Sequence, residues 1–196
     1  MPQLKKSLGL IYAANPFGAD HMSSEHDAAY EKAFKYYQKR FEFLGLTKPQ
    51  APWSLNSEKI TFACKTQHLS SLMDSLTACQ FVWGASWHLY GPAEIVRLVQ
   101  SVTGWNVTFD ELLEVGERRL NMMRVFNTRE DIRGDDDQLP EKFYQKPLDG
   151  GPTDGWKLDK SEYDQALTEY YRQCGWKIET GTPMQETLNR LGLEWV

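Results

Sequence analysis

Residues 57–83 read SEKITFACKTQHLSSLMDSLTACQFVW, and this stretch decides the fold. Its apolar side chains recur on related faces of an α-helix, which is the pattern of a helix that packs against a core. They are Ile60, Cys64, Leu69, Leu72, Met73 and Leu76. The spacing predicts one long helix over residues 57–83.

Asp74 and Cys79 lie near the end of this stretch, in Asp74-Ser75-Leu76-Thr77-Ala78-Cys79. Neither side chain has an obvious partner in the sequence. On a helix, five positions correspond to a rise of about 7.5 Å and a rotation of about 140°. The two groups could then serve adjacent ligands but could not grip one ion together. Taken alone, Cys79 fits a small buried hydrophobe. The alternative is a site whose other half lies on another polypeptide.

Helical patterns also cover most of the remaining chain. They are predicted over residues 23–44, 91–104, 108–127, 159–175 and 182–192. Thr108 and Glu111 form a capping box, and Pro92 stands at an early helical position where its missing N–H costs little. Residues 134–156 are rich in Gly, Pro and Asp and are predicted to be irregular. Without strand alternation or repeats, the sequence predicts an all-α, multi-helix domain over residues 1–196.

Composition excludes several classes of protein. The net charge of −5 argues against a nucleic-acid binder, which would cluster Lys and Arg. No apolar run approaches the ~20 residues that span a bilayer, and residues 1–6 lack the apolar segment of a signal peptide. Three widely spaced cysteines do not form a disulfide framework. We therefore expect a cytoplasmic protein without nucleic-acid or membrane partners.

Residues 18–27, GADHMSSEHD, place two histidines and three carboxylates where a loop meets the predicted helix. Histidine is the commonest side chain for proton transfer near neutral pH, so His21 is a candidate acid or base. The alternative is a solvated helix N-terminus, where the helix dipole favours acidic residues. That second interpretation is preferred for His26 and Asp27, and both remain open for His21.

Two further sets of residues could hold a metal ion. Cys64 and His68 share a helix face four positions apart, but two ligands are too few for a structural zinc site, so core packing is favoured. Residues 135–137 are three consecutive aspartates without the other positions of a calcium loop. A solvated acidic turn is the preferred interpretation of this run.

Several segments, in order and spacing, resemble one known family across essentially the whole chain. They are GERRLNMMRVFNTRE at 116–130, DDQLPEKF at 136–143, EYY at 169–171 with GW at 175–176, and LGL at 191–193. Together they resemble the C-terminal domain of the aldehyde ferredoxin oxidoreductases, the tungsten-pterin enzymes.

The resemblance implies a role for three residues. The family's D-x-x-G-L-C/D motif corresponds to residues 74–79, which implies that Asp74 hydrogen-bonds a pterin and that Cys79 is the fourth ligand of a [4Fe–4S] cluster. Thr77 and Ala78 stand where the family has Gly and Leu. Residues 18–22 resemble the loop that carries the family's active-site histidine, which implies that His21 is catalytic. Ser23 replaces a basic residue that contacts the pterin in some members.

The family's first three cluster cysteines belong to an N-terminal pterin-binding domain that is absent from this sequence. The resemblance therefore implies part of an oxidoreductase with a tungsten (or molybdenum) pterin and a [4Fe–4S] cluster, which oxidises aldehydes to carboxylic acids and passes electrons to ferredoxin. Its partner would be the N-terminal portion of the same enzyme, in the same chain or from a split gene. The isolated chain is expected to be inactive and without cofactor. The alternative is a free-standing helical interaction module that has lost redox function.

Overall fold

The computed structural model describes Pro2 and residues 4–196, except for the side chains of Lys32 and Ala33. Its α-helices are α1 (Lys6–Ala14), α2 (Phe34–Phe43), α3 (Ser57–Ser75), α4 (Pro92–Thr103), α5 (Phe109–Arg129), α6 (Lys142–Gln145), α7 (Lys160–Cys174) and α8 (Gln185–Arg190). A π-helical turn, Ala29–Ala33, precedes α2, and 3-10 turns occupy Gly134–Asp136 and Gly151–Thr153. The described residues contain two isolated β-bridges and no strand, so the all-α prediction is confirmed.

Local hydrogen bonds explain where the long helices begin. The Thr108 amide donates to Glu111 Oε2 over 2.7 Å and the Glu111 amide donates back to Thr108 Oγ1 over 3.3 Å, which completes the predicted capping box of α5. The Asn56 side chain accepts from the Lys59 amide at the start of α3. Asp159 does the same for the Glu162 amide in α7. These hydrogen bonds fix the N-terminal ends of α3, α5 and α7.

The helix predicted over residues 57–83 ends earlier, at Ser75. The Ala78 amide donates to the Met73 carbonyl over 2.9 Å and the Thr77 amide donates to the Asp74 carbonyl over 3.1 Å. This is a Schellman motif, with Thr77 in the left-handed conformation at φ 52°. Cys79 therefore lies in a loop, and the helical rise and rotation expected between it and Asp74 do not apply.

The core consists of two clusters of buried side chains that share α3. One joins α1, α3 and α7 and includes Ile11, Ile60, Tyr170 and Trp176. The other joins α2–α5 and includes Phe41, Phe62, Leu72, Ile95 and Phe109. Helix α5 approaches α3 closely because residue 116 is glycine: a Cβ there would lie 2.0 Å from the His68 carbonyl oxygen.

Arg124, near the C-terminal end of α5, forms a buried ion pair with Asp137. Arg124 Nη1 lies 2.9 Å from Asp137 Oδ1, and Nη2 lies 2.5 Å from Oδ2. The Arg124 Nε donates to the Gly181 carbonyl, and Tyr171 donates to Asp137 Oδ2. The predicted solvated turn is therefore wrong for Asp137, which is only 3% exposed and is paired with Arg124. The prediction failed because this partner lies thirteen positions earlier in the chain, outside the local sequence pattern.

Asp27 was predicted to lie at a solvated helix start, and that prediction is also wrong. Its carboxylate is fully buried and accepts from the Ser7 and Leu8 amides, so it caps α1, a helix that the sequence did not indicate. Lys59 Nζ lies 3.3 Å from Asp27 Oδ1. Burial lowers the pKa of Lys59, although the charge of Asp27 acts against that shift. The predicted helix over residues 23–44 correspondingly begins only at Asp27, just before the π-helical turn Ala29–Ala33.

Cys64 and His68 lie inside the core on α3. The Cys64 Sγ is 3.8 Å from the Cys174 Sγ on α7. Burial lowers the pKa of His68 to about 4. Across Pro2 and residues 4–196, no helix has both the length and the apolar character that a membrane crossing requires.

Candidate functional site

Two adjoining cavities open beside the C-terminal end of α3. The larger measures about 540 Å³ and is lined by Asp74 and Cys79, and the smaller measures about 220 Å³ and is lined by His21. The two share four lining residues, which are Met22, Ser70, Gln80 and Phe81. The three residues singled out from the sequence therefore lie around one composite opening.

Asp74 and Cys79 occupy different positions in the larger cavity. Asp74 Oδ2 lies 3.1 Å from Arg119 Nη1 on α5, and Asp74 Oδ1 accepts from Gln80 Nε2 over 2.8 Å. The Cys79 thiol is free and exposed. The left-handed turn at Thr77 separates the two side chains, because it ends the helix before Cys79. The carboxylate is thus held in place, and the thiol is open to a ligand.

His21 lies on the loop that follows α1, at the smaller cavity. Its imidazole is mostly exposed, with Nδ1 3.9 Å from Asp20 Oδ1 and its ring 6.1 Å from that of His26, edge to face. Lys5 Nζ lies 2.7 Å from His26 Nδ1. Burial, aided by the charge of Lys5, lowers the pKa of His26. His21 is therefore the more accessible of the two imidazoles.

Buried polar groups hold the loop that carries His21. Tyr170 donates to Gln67 Oε1 over 2.6 Å, and Gln67 donates to Asn15 Oδ1 over 3.1 Å. Asn15 in turn donates to the Gly18 carbonyl and to Ser23 Oγ, at the two ends of the loop. Because all of these donors are buried and paired, the loop is tied to α3 and α7.

Residues 80–90 form a second loop at the smaller cavity, which was predicted to be helical as far as residue 83. The Gly84 amide donates to the Tyr90 carbonyl and the Tyr90 amide to the Val82 carbonyl. Arg40 donates to the carbonyls of Ser86 and His88 over 3.1 and 2.9 Å. The loop is therefore fixed from both sides, and it places His88 in the cavity wall.

The sequence analysis named neither His88 nor its neighbour Glu25 as a site residue, although Glu25 is one of the three carboxylates in residues 18–27. The available signal was the pair of glycines that bracket the loop, Gly84 and Gly91, which interrupt the helical pattern. The contacts of Arg40 with this loop span more than forty positions, so local patterning could not reveal them.

Large apolar side chains surround the cavities and are exposed. Phe17 is 68% exposed, Phe81 is 81% and Trp87 is 56%. Phe81 lines both cavities. Exposed apolar side chains grouped around a cavity are typical of a surface that binds another molecule.

Among the described residues, a single cysteine is placed to be a ligand of an iron–sulfur cluster. A [4Fe–4S] cluster is held by four cysteine thiolates. Only Cys79 opens on the cavity, whereas Cys64 and Cys174 are buried against each other. In the part of the chain that the structure describes, no group of three or more His, Cys, Asp or Glu side chains could hold a metal ion.

Comparison with known proteins identifies the family. The sequence model of the family described as aldehyde ferredoxin oxidoreductase, domains 2 and 3, matches residues 1–193 of this chain. The chain belongs to this family. The resemblance drawn from the sequence is thereby confirmed.

Known members of the aldehyde ferredoxin oxidoreductase family match almost the whole chain. The tungsten-containing aldehyde ferredoxin oxidoreductase of Pyrococcus furiosus is 30% identical over 193 residues, and that of Pyrococcus horikoshii is 28% identical over 194. Each match covers 98% of this chain and 29% of the relative. The chain thus spans less than a third of the length of these enzymes.

A solved structure shows the same fold. It is the active site complex BamBC of benzoyl coenzyme A reductase in complex with 1,5 dienoyl-CoA. The TM-score is 0.65 at 19% identity, over 99% of this chain and 30% of that chain. At this identity the likeness concerns the fold alone.

Proposed function

We propose that this chain forms part of the active site of an oxidoreductase that oxidises aldehydes to carboxylic acids and passes the electrons to ferredoxin. The observation that carries the proposal is the placement of His21, Asp74 and Cys79 around one composite opening. More than fifty residues separate the first from the other two in sequence, so their common location depends on the fold.

Each residue has a role that its surroundings allow. The exposed Cys79 thiol, as thiolate, would be one ligand of a [4Fe–4S] cluster. Asp74, oriented by Arg119 and Gln80, would accept a hydrogen bond from a pterin N–H. His21 would accept a proton at the smaller cavity. When bound, a tungsten (or molybdenum) pterin supplies the two-electron chemistry that no side chain can supply.

The remaining cluster ligands would come from the N-terminal portion of the same enzyme, in the same chain or from a split gene. The exposed Phe17, Phe81 and Trp87 around the opening support such a contact, because together they give that portion an apolar surface. We expect the chain purified alone to be colourless and inactive. Tungsten, molybdenum and iron analysis of the pure chain checks this, and near-stoichiometric metal would contradict it.

The alternative is a free-standing helical interaction module. It is favoured by the same exposed aromatic surface, which could bind a partner without any redox chemistry. A pull-down from the native host separates the two. Recovery of a polypeptide with a Cys-x-x-Cys-x-x-x-Cys segment supports the enzyme, and a monomeric chain with no such partner supports the module.

The decisive variant is Cys79→Ala in the complete enzyme. It should abolish cluster assembly, measured as iron content and visible absorbance, because three thiolates leave one iron without its protein ligand. Cys64→Ala is the matched control, since its thiol lies against Cys174 inside the core and should leave the cluster unchanged. Unchanged cluster absorbance in Cys79→Ala would refute the ligand role.

A further inference from the structure

His88 has an unusual environment in the smaller cavity. Its Nδ1 is buried and has no hydrogen-bond partner. A buried polar atom without a partner loses its hydrogen bonds to water and gains none in return, so native structures rarely keep one without a reason. The nearest acidic group is Glu25, whose Oε2 lies 3.9 Å from that nitrogen.

The surrounding chain is built to hold this imidazole in place. A Cβ at Gly84 would lie 2.4 Å from His88 Nδ1, so only glycine leaves room for the ring. Arg40 fixes the backbone of the same loop through the His88 carbonyl. Glu25 is fixed as well, because its Oε2 accepts from Ser86 Oγ over 2.7 Å and its Oε1 accepts from the His26 amide over 3.0 Å.

We infer that His88 is a second proton acceptor of the active site and that Glu25 orients it. A small closure of the 3.9 Å gap would let Nδ1–H donate to the carboxylate, and hydrogen bonds of this kind are often long before substrate binds. The proton would then reside on Nδ1, and the lone pair of Nε2 would be available to the cavity.

The inference rests on the proposed aldehyde oxidation and on its stoichiometry. An aldehyde and one water give a carboxylic acid, two protons and two electrons. The pterin and the iron–sulfur cluster of the complete enzyme would supply the two-electron and one-electron chemistry. Two side-chain bases could accept the two protons inside the cavity. His21 would accept one proton, and His88 would accept the other at Nε2. The imidazolium would be stabilised by Glu25 until water at the cavity mouth removes its proton.

Other charged and titratable groups near His88 do not provide a competing partner. His26 is held by Lys5, and Arg40 contacts the carbonyl side of the loop rather than the imidazole. His21 is turned toward Asp20 and the His26 ring. Glu25 is therefore the carboxylate that can set the tautomer of His88.

The first test uses the full chain alone and needs no cofactor. Long-range ¹H–¹⁵N NMR should show neutral His88 protonated mainly on Nδ1, with the signal assigned by its loss in His88→Gln. Glu25→Gln should move the proton toward Nε2. Glu130→Gln is the matched control, because it makes the same change at an exposed carboxylate that lines neither cavity. An Nε2–H tautomer in the wild type, or no change in Glu25→Gln, would overturn the inference.

The second test uses the complete enzyme with its metals. His88→Gln should lower kcat by about 10²–10⁴-fold while iron and tungsten contents stay unchanged. Added imidazole should restore part of the rate in His88→Ala, which a merely structural role would not allow. Full kcat in His88→Gln would overturn the assignment and leave the proposed function intact. A wild-type enzyme inactive on every aldehyde would instead contradict the proposed function, and the tautomer measurement would then decide the Glu25–His88 pairing.

Discussion

The buried pair of Arg124 and Asp137 and the open turn from Asp74 to Cys79 differ in how completely their polar groups are partnered. At the pair, every charged atom has a partner inside the chain. At the turn, Asp74 is held by two side chains but the Cys79 thiol is exposed and free. Arg124 and Asp137 belong to segments that identify the family, and they stabilise the fold. Cys79, in contrast, is a candidate ligand because the chain leaves its thiol unpaired.

The largest expected effect comes from breaking the buried pair of Arg124 and Asp137. Arg124→Ala leaves Asp137 buried without its cation and should lower the free energy of unfolding by about 3–5 kcal/mol. Urea denaturation of the purified chain measures this. Arg133→Ala is the control, because its partner Asp131 is exposed and such pairs contribute at most about 1 kcal/mol. Equal losses in the two variants would remove the contrast between buried and exposed pairs.

The pH dependence of stability tests a second buried group, the imidazole of His68 on α3. His68 has a pKa of about 4 when folded, against 6.5 for the free side chain. Between these two pH values the unfolded chain binds more protons than the folded chain. His68 therefore does not reduce the free energy of unfolding above pH 6.5, and it reduces that free energy increasingly as the pH decreases toward 4. The loss should reach up to about 3 kcal/mol.

Denaturation at several pH values should show a shallower decrease for His68→Gln than for the wild type. His21→Gln is the matched control, because it makes the same change at a histidine whose imidazole is mostly exposed. Carboxylates also titrate in this range, so the difference between the two variants isolates His68. Parallel profiles would mean that the folded protein accepts the charge on His68 at little cost.

Gly116→Ala should have a smaller effect at the crossing of α3 and α5. The new Cβ would meet the His68 carbonyl, so the two helices must move apart, at a cost of about 1–3 kcal/mol. Met122→Ala, at an exposed position of α5, should change stability by less than about 0.5 kcal/mol. Thermal melts of both variants provide the comparison, and an unchanged melting temperature for Gly116→Ala would show that the crossing adapts freely.

The smallest effect is expected at the open turn, and it has the opposite sign. Thr77 adopts φ 52°, a conformation that costs non-glycine residues about 1–2 kcal/mol. Thr77→Gly should therefore stabilise the chain by about 0.5–1 kcal/mol, once the greater freedom of glycine in the unfolded state is subtracted. Cys79→Ser, at an exposed side chain, should leave stability unchanged. Destabilisation by Thr77→Gly would show that the threonine side chain contributes a contact of its own.

Local signals made much of the fold predictable from the sequence. The Thr108 and Glu111 box, Pro92 and Gly104 lie next to the helix ends that they determine, so α4 and α5 were predicted closely. The end of α3 was missed because Thr77 occupies a left-handed position where glycine is the usual indicator. Apolar residues after it continue the helical pattern.

Long-range pairing explains the other errors. Asp27 and Asp137 are hydrophilic by type, and only the fold shows that Lys59 and Arg124 reach them inside the core. The location of His21, Asp74 and Cys79 around one opening could be expected from the family resemblance alone. Glu25 and His88 carry no such motif, and they are brought together by a loop that Arg40 fixes from a distant helix.

The exposure of a single thiol has a practical consequence for labelling chemistry. The chain has three cysteines, of which Cys64 and Cys174 are buried and Cys79 is exposed. The contact with Cys174, together with burial, raises the pKa of the Cys64 thiol, so its reactive thiolate is scarce. A maleimide dye, spin label or photo-crosslinker should therefore attach to native protein at one position. Position 79 can report on whatever docks at the opening without any engineered cysteine.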